Sequence, residues 1–400
     1  MTATTSIDCI VIGAGPAGST AARELAVRDI RVLLVDRAQF PRDKPCGGGV
    51  VISAAAQLPF SLDPVVERVV DTFRVTYRRR GSFLHHFGAP LAYMTQRTRL
   101  DAYLVERACD AGVEFQDGRA IESVQIDAGV VAVRFRDGGQ LSARAAVAAD
   151  GANSVVRRSF QLPPFRSAVA LEANLDVHVD AGTDSVGQPW RDQIALDLGS
   201  IPGGYGWVFP KGDHLNIGVG GWPSTGPTLR RELDLYARSL GFDPAALHDR
   251  RGHHLPLRDP DSVLRLGPIA FVGDAAGLVD PLSGEGIGHA FHSGRLAALE
   301  IDRLLRGDVA DLAGYEQAVR REIEPDLAVS RQLQTIFHQA PWIYTQVLQR
   351  SGRFWRAFCH IVRGESNYTR FKNRLGPLAP LLNAAAWQAQ RTTARRGGWR

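Results

Sequence analysis

What this chain lacks narrows it first. It has four cysteines in 400 residues. Cys9, Cys46, Cys109 and Cys359 are scattered, with no CxxC pair, so neither a disulfide framework nor a metal site is expected. No run of about 18 apolar residues occurs that could cross a bilayer as a helix. Met1–Ser6 shows no basic stretch leading into an apolar one, so no secretory leader is expected. Internal repeats and low-complexity segments are absent as well. Cys9 falls in a strand pattern and Cys109 in a helix pattern, and both are expected to be buried small residues. The natural compartment on this reading is a reducing cytoplasm.

Charge is present but unevenly spread. The net charge is +5. From Arg331 to Arg400 there are 12 Lys/Arg against one acid, Glu365, leaving −6 on residues 1–330. The basic arm interleaves its charges with Trp342, Ile343, Tyr344, Phe354, Trp355, Phe358, Ile361 and Val362. Positions 354, 355, 358, 361 and 362 share one helical face. Such a mix suits an anionic membrane surface or a partner protein as well as RNA, and equally a terminal helix packing on its own body. Nucleic acid is not the expected partner, and the chain does not choose between monomer and homo-oligomer.

The strongest local signal is Ile7–Gly18, IDCIVIGAGPAG. A short apolar run breaks into Gly13-Ala14-Gly15-Pro16-Ala17-Gly18 and resumes with helical spacing. In that setting Gly13 permits the tight turn, Gly15 lets a pyrophosphate approach the backbone, and Gly18 lets helix pack closely on strand. The helix start then offers N–H groups and the positive end of its dipole to phosphate. A second apolar strand, Val32–Val35, ends in Asp36, at the distance from the glycines expected of a ribose-binding acid. This is a dinucleotide site of a kind the turn alone does not specify.

Further on, Arg37–Val50 is rich in Pro and Gly and reads as irregular. Phe73–Arg79 reads as a strand, Arg97–Gly112 as a helix, and Val113–Phe115, Ala120–Ile126, Val130–Phe135 and Ala145–Ala149 as short strands, the last ending at Asp150-Gly151. Leu171–Val179, Gln193–Leu198, Trp207–Phe209 and Leu215–Val219 read as antiparallel strands, followed by a helix near Thr228–Leu240 and a buried strand at Ile269–Val272. The order predicts an α/β fold. A Rossmann-like parallel sheet is interleaved with an antiparallel-sheet domain and followed by a helical region. The expected bounds are 1–60, 96–160 and 255–310 for the cofactor domain, 61–95 and 161–254 for the substrate domain, and 311–400 for the C-terminal helices.

A second constellation runs from Gly273-Asp274 through Pro281-Leu282-Ser283-Gly284-Glu285-Gly286 into a helix. An acid at a strand end can accept from cofactor hydroxyls, and a glycine-rich helix start can stabilise charge on a flavin carbonyl. That pairing suits a flavin better than a nicotinamide.

With these motifs together, the chain resembles the two-dinucleotide-binding-fold flavoproteins, and among them the geranylgeranyl reductase family. The resemblance spans roughly residues 7 to 370. It rests on Gly13–Gly18 with Asp36, on Lys44-Pro45-Cys46-Gly47-Gly48, and on Arg97 with Leu100-Asp101 and Leu104. Asp150-Gly151, Tyr205-Gly206-Trp207-Val208-Phe209-Pro210-Lys211 and Gly273-Asp274 with Pro281–Gly286 complete it. The resemblance implies an FAD-dependent reductase of C=C bonds in an isoprenoid chain carried by a lipid, quinone or chlorophyll precursor. Its electrons would come from NADPH or a reduced carrier such as ferredoxin. It implies that Gly13, Gly15, Ala17 and Gly18 meet the pyrophosphate, Asp36 and Arg37 the adenosine side, and Arg97 the phosphates or ribityl chain. Gly273-Asp274 would hold the ribityl side, and Gly286 and Ile287 would face the pyrimidine edge. Asp150-Gly151 would bind the cofactor either as the motif that in related hydroxylases also serves a nicotinamide donor or as a strand-end turn shaping the FAD site. Cys46 would sit beside the reactive face, with Tyr205, Trp207 and Phe209 as the substrate wall.

The chemistry explains such a set. An isolated alkene has no carbonyl to accept charge, so hydride addition must be coupled to protonation of the other carbon. Cys46 is a candidate acid if burial keeps its thiol neutral, and a positioning residue otherwise. Lys44 and Lys211 are expected either to orient a polar head group or to point to water. His85, His86, His253 and His254 lack metal-ligand spacing and are expected at the surface or in structural roles. Because the substrate would dissolve in membranes, a peripheral membrane contact through the basic arm fits this reading. Two rivals stand. One is flavin monooxygenase or halogenase chemistry on the same fold, although Tyr205, Trp207 and Phe209 depart from the halogenase Trp-x-Trp-x-Ile-Pro pattern. The other is a non-catalytic prenyl-binding escort.

Overall fold

The computed structural model describes residues 7–177, 190–374 and 376. The first six residues, positions 178–179 of the strand expected to reach Val179, and the end of the basic arm lie outside the described residues.

Cys9–Ile12 and Val32–Val35 are apolar and buried at every position, as strands covered on both faces must be. They pair in parallel, Cys9 opposite Val32. Ala145–Ala148 pairs in parallel on the other side of Cys9–Ile12, and Ile269–Phe271 lies beyond it, also parallel. Glu114–Gln116 and the antiparallel Arg265–Leu266 close the two edges of this six-stranded sheet. The α/β class expected from the sequence holds.

Two helices hold this sheet to its own cofactor motifs. The helix Pro16–Ala26 leaves the first glycine turn, and the helix Ile287–Arg306 returns from the last motif to cross it. A Cβ on Gly294 would stand 2.5 Å from the Ala17 carbonyl oxygen. Only a residue without a side chain allows that crossing.

The second sheet has seven strands, in the order His248–Leu257, Arg166–Asp176, His214–Gly221, Tyr205–Pro210, Ile194–Leu198, Thr72–Tyr77 and Arg80–His86. All pairs are antiparallel except Ile194–Leu198 with Thr72–Tyr77. His248–Leu257 escapes a reading by periodicity because it is an edge strand, mostly open to water, with no apolar alternation to betray it. Gly49–Val51, expected to be irregular, is a short strand paired with Ala92–Met94. Cys109 is exposed, not buried: it is the last residue of the helix Arg97–Cys109, beyond the face that packs Leu104 and Ala108 inward.

The C-terminal helices Glu324–Gln339, Pro341–Arg350 and Gly352–Val362 contribute to an apolar layer with the second sheet. Phe337, Leu348, Trp355 and Cys359 pack there with Phe73, Val75, Ile194 and Leu198. The aromatic face of Gly352–Val362 is turned inward: Trp355 stacks on His85 with ring centres 4.8 Å apart and meets Phe73 at 5.6 Å. Of the two outcomes open for that face, packing on the body is the one observed. The large apolar side chains left exposed in this region are Trp342, Ile343 and Val347, one helix earlier.

Replacing Gly294 with Val should destabilise the fold by about 1–3 kcal/mol through overpacking and weaken binding of the flavin expected at the glycine turn. Thermal unfolding and flavin titration check this. An unchanged melting temperature together with unchanged flavin affinity would show that the crossing is looser than described.

Candidate active site

The first glycine turn is closed on one side and open on the other. Gly13 has φ +99, and a Cβ there would run into the Ala149 carbonyl, with Asp150 Cα 2.9 Å away. Gly18 is shut against the Gly13 carbonyl. Gly15 instead faces two guanidinium groups, Arg42 Nη2 at 3.5 Å and Arg97 Nη2 at 4.0 Å from where its Cβ would stand. Asp101 holds both arginines: Arg97 donates to it from Nε (2.8 Å) and Nη2 (2.7 Å), and Arg42 Nη2 lies 3.0 Å from it. Arg42 Nε also lies 3.7 Å from Asp36 Oδ2, so two guanidinium groups, anchored by two carboxylates, stand above Gly15, where the helix Pro16–Ala26 starts. That arrangement suits a diphosphate. Arg42 was not singled out from the sequence. Its only signal was its place in the Pro- and Gly-rich loop before Cys46.

Asp36 ends its strand with its carboxylate turned back to the turn, accepting from Ala14 N–H (2.8 Å) and Ala38 N–H (2.9 Å). Arg37 beside it is exposed. Asp150 accepts from Val155 N–H (2.6 Å) and Val156 N–H through Oδ2, starting a short helix. Its Oδ1 is buried and has no partner. Burial pushes this carboxyl up, opposed by Ser154 and the backbone donors.

At the other strand end, Asp274 faces Lys44 Nζ at 3.2 Å and His253 Nε2 at 3.8 Å. Burial alone would raise its carboxyl, but Lys44 and His253 together hold it well below the usual carboxylate range. Lys44 therefore ties the Cys46 loop to the last motif, rather than pointing to water. His253, expected at the surface or in a structural role, stands at this site. Gly286 Cα approaches Asp274 closely enough that a Cβ would lie 3.5 Å from Oδ1. Ile287 opens the helix that follows. Part of that helix start is already committed, because Gly288 N–H donates to Glu285 Oε1 at 2.6 Å.

The Cys46 loop lies on the aromatic strand Tyr205–Pro210. A Cβ on Gly47 would be 2.5 Å from the Phe209 ring and 3.4 Å from Trp207 Nε1. Trp207 Nε1 donates to Asn216 Oδ1 at 2.9 Å, and Tyr205 hydroxyl donates to the Ser283 carbonyl. Phe209 and Trp207 therefore support the loop, while Tyr205 joins the strand to the Pro281–Gly286 segment. Gly48 N–H points at Cys46 Sγ, 3.4 Å away. Glu172 accepts Cys46 N–H at 2.8 Å, and Lys211 is buried beneath the loop rather than in water. Neither the Glu172 contact nor the burial of Lys211 was legible in the sequence.

These residues fit FAD as a group. A glycine-lined turn faced by two guanidinium groups offers a place for the diphosphate, and an acid ends the second strand. Asp150 offers an unpartnered acceptor, and Asp274 with a helix start lies toward the Cys46 loop. When bound, FAD supplies a redox centre able to deliver hydride.

Comparison with known proteins agrees. A family model described as an FAD binding domain matches residues 6–196. The chain is 30% identical to menaquinone reductase of Mycobacterium tuberculosis, over 94% of this chain and 99% of that protein. It is 31% identical to geranylgeranyl diphosphate reductase of Rhodobacter capsulatus, over 83% of this chain and 85% of that one. Among solved structures it superposes on a geranylgeranyl bacteriochlorophyll reductase-like protein from Thermoplasma acidophilum with TM-score 0.73 at 23% identity, covering 83% and 88% of the two chains. A flavin-dependent brominase superposes with TM-score 0.74 at 19% identity, covering 97% and 100%. The last two likenesses concern the fold alone.

Replacing Arg42 with Gln should weaken FAD binding roughly tenfold, the effect of losing one charge-assisted contact to phosphate. Flavin fluorescence quenching measures it, and unchanged affinity would remove Arg42 from the diphosphate site.

Proposed function

Because this chain belongs to the geranylgeranyl reductase family of FAD-dependent oxidoreductases, we propose that it hydrogenates C=C bonds in the prenyl chain of a lipid or quinone. One observation carries this reading. The Cys46 loop and its aromatic strand stand at the edge of a packed apolar layer. Tyr205, Phe209 and Leu282 pack onto the layer at this end, and Ile194, Leu198, Phe337, Leu348 and Trp355 continue it. A prenyl chain is apolar along its length and matches such a wall, whereas a hydroxylase substrate needs polar groups to orient it. The relatives named for menaquinone and for geranylgeranyl diphosphate both support a prenyl substrate class.

Each residue then has a task. Arg42, Arg97 and Asp36 hold the ADP end of FAD. Lys44 and His253 keep the Asp274 carboxylate charged, able to accept from ribityl hydroxyls. Trp207 and Phe209 seat the loop and exclude water from its inner face. Reduction adds a hydride to one alkene carbon and a proton to the other, so the site needs an acid. Cys46 Sγ–H is the proposed donor, with the Gly48 N–H steadying the sulfur as its proton leaves. The electrons reach FAD from NADPH or a ferredoxin-type carrier, and dithionite stands in for either.

The test is anaerobic incubation of the dithionite-reduced holoprotein with menaquinone and, separately, geranylgeranyl diphosphate. After reoxidation of any quinol ring in air, mass spectrometry should find two hydrogens gained in the prenyl chain per bond reduced. No gain on any prenyl substrate, alongside rapid substrate-dependent oxygen consumption with NADPH, would favour hydroxylation instead. Replacing Cys46 with Ala should slow hydrogenation by about 10²–10⁴-fold with FAD affinity unchanged. An unimpaired rate would leave the thiol as a spacer.

The same reading gives the exposed Trp342, Ile343 and Val347 a use. They share a face of Pro341–Arg350 with Arg350, and Arg353 and Arg356 are exposed on the next helix. No acid occurs between Asp326 and Glu365. A cavity of about 680 Å³, lined by polar residues such as Arg78, Arg79 and His338 as well as by Ile201, Trp222 and Phe337, lies beside Trp342 in the chain. An apolar face with a basic rim suits the surface of an anionic membrane, where a prenyl substrate dissolves. No helix among the described residues is long and apolar enough to cross one. Co-sedimentation with anionic vesicles should fall when Trp342 and Ile343 are both replaced by Ser. Equal sedimentation would exclude this face.

A further inference from the structure

The Cys46–Gly48 loop is gripped from two sides by one acid and one base. Glu172, on the strand Arg166–Asp176, accepts Cys46 N–H at 2.8 Å. Lys211, one residue past the strand Tyr205–Pro210, donates to the Gly47 carbonyl and, at 2.9 Å, to the Thr95 carbonyl. Thr95 returns the contact, giving the Gly48 carbonyl both its N–H (2.8 Å) and its hydroxyl (3.0 Å). Lys211 is only 4% exposed. Composition adds an independent observation. Of 47 basic residues three are lysines, Lys44, Lys211 and Lys372, and two of them flank Cys46. A guanidinium stays charged at any working pH, whereas a buried ammonium can release its proton. In a chain that otherwise uses arginine almost throughout, a titratable cation stands under the reacting loop.

We propose that Glu172 and Lys211 are a positioning pair that clamps the Cys46 loop onto Trp207 and Phe209, and that this clamp loosens on either side of neutrality. The proposal deepens the reading of this loop as the reacting edge.

Burial pushes the Glu172 carboxyl up to about 7, against the pull of Cys46 N–H and Lys211. Burial brings Lys211 down to about 8, against Cys46, Glu67 and Glu172. Below the first value Glu172 is protonated and accepts the Cys46 N–H more weakly. Above the second, Lys211 is neutral and its bonds to Gly47 and Thr95 lose their charge assistance. Arg97, paired with Asp101, also contacts the Cys46 thiol; the remaining charged groups around the pair are engaged elsewhere. Asp43, which opposes ionisation of Glu172, is paired with Arg251, the residue opposite Glu172 in the strand register. Glu67 holds Arg99 at 3.1 Å and Gly212 N–H at 3.0 Å. Lys44 and His253 face Asp274. His214 offers Lys211 its backbone carbonyl, its ring being turned to Asp213. The two limbs are thus those of the pair as a coupled unit.

The linkage has a definite sign. Between 4.5 and about 7 the folded chain keeps a proton on Glu172 that the unfolded chain has released, so this group's contribution to stability falls as pH rises. Between about 8 and 10.5 the folded chain lacks a proton on Lys211 that the unfolded chain holds, so that contribution rises with pH. Both groups weigh most against folding in the window where the clamp is closed.

The test is alkylation of Cys46 by iodoacetamide in the full chain, with and without FAD. Cys109→Ser removes the exposed competing thiol; Cys9 and Cys359 are buried. Rates from about pH 5.5 to about 9.5, read by mass spectrometry, are divided by those of a small free thiol, which removes the ordinary thiolate dependence. The quotient should be lowest between pH 7 and 8 and rise roughly tenfold on each side, as expected when a charge-assisted bond is lost. Glu172→Gln should erase the acid limb and draw the alkaline limb to lower pH, and Lys211→Met should erase the alkaline limb and draw the acid limb to higher pH, because each charge favours the other. Lys211→Arg, which stays charged, should move the alkaline limb out of range and serves if the Met variant does not fold. A flat wild-type profile, or limbs identical in all variants, overturns the clamp. No prenyl substrate enters the measurement, so the clamp and the proposed reaction can fail separately.

Discussion

A parallel sheet delivers the C-terminal ends of its strands to one edge, and everything at this site depends on that constraint. Ile12 stands opposite both Val35 and Ala148, and Ala148 opposite Phe271. The residues that follow those four strand ends are therefore neighbours, though they span the chain from Gly13 to Asp274. The glycine turn, Asp36, Asp150 and the Gly273-Asp274 corner line one crevice. The two long helices that leave it are locked by the Ala17–Gly294 approach. A dinucleotide laid along that edge would have its diphosphate over the turn, with Asp274 toward its other end.

The reacting edge comes from elsewhere. The second sheet presents Trp207 and Phe209 to the underside of the Cys46 loop, and the apolar layer beneath the C-terminal helices continues from there. On the proposed reading, cofactor anchoring and chemistry are divided between two sheets, joined by Lys44–Asp274 and Tyr205–Ser283.

What could be read in the sequence was what is local. The glycine turn, Asp36, and Gly273-Asp274 with the following helix start announce themselves by spacing alone, and the buried strands by their apolar runs. What could not be read is built across distance. Cys46 meets Glu172 across 126 positions, Gly47 meets Lys211 across 164, and Lys44 meets Asp274 across 230. No periodicity reports such pairings. His248–Leu257 was missed because an exposed edge strand carries no apolar alternation, and with it went the place of His253 beside Asp274. The aromatic stripe after Arg350 was read correctly as amphipathic, but amphipathicity does not say which surface covers it, and here the second sheet does.

On the proposed function, electrons held on this protein's FAD pass to an isolated alkene at the Cys46 loop. Stopped-flow absorbance under strict anaerobiosis tests it most directly. The reduced holoprotein is mixed with a prenyl substrate that has no quinone ring, since a quinone could oxidise the flavin by itself. The oxidised-flavin band should return in a single turnover, in proportion to the double bonds reduced, and only slowly when Cys46 is replaced. A band that stays bleached until oxygen is admitted would contradict the claim and point to oxygen chemistry at the same flavin.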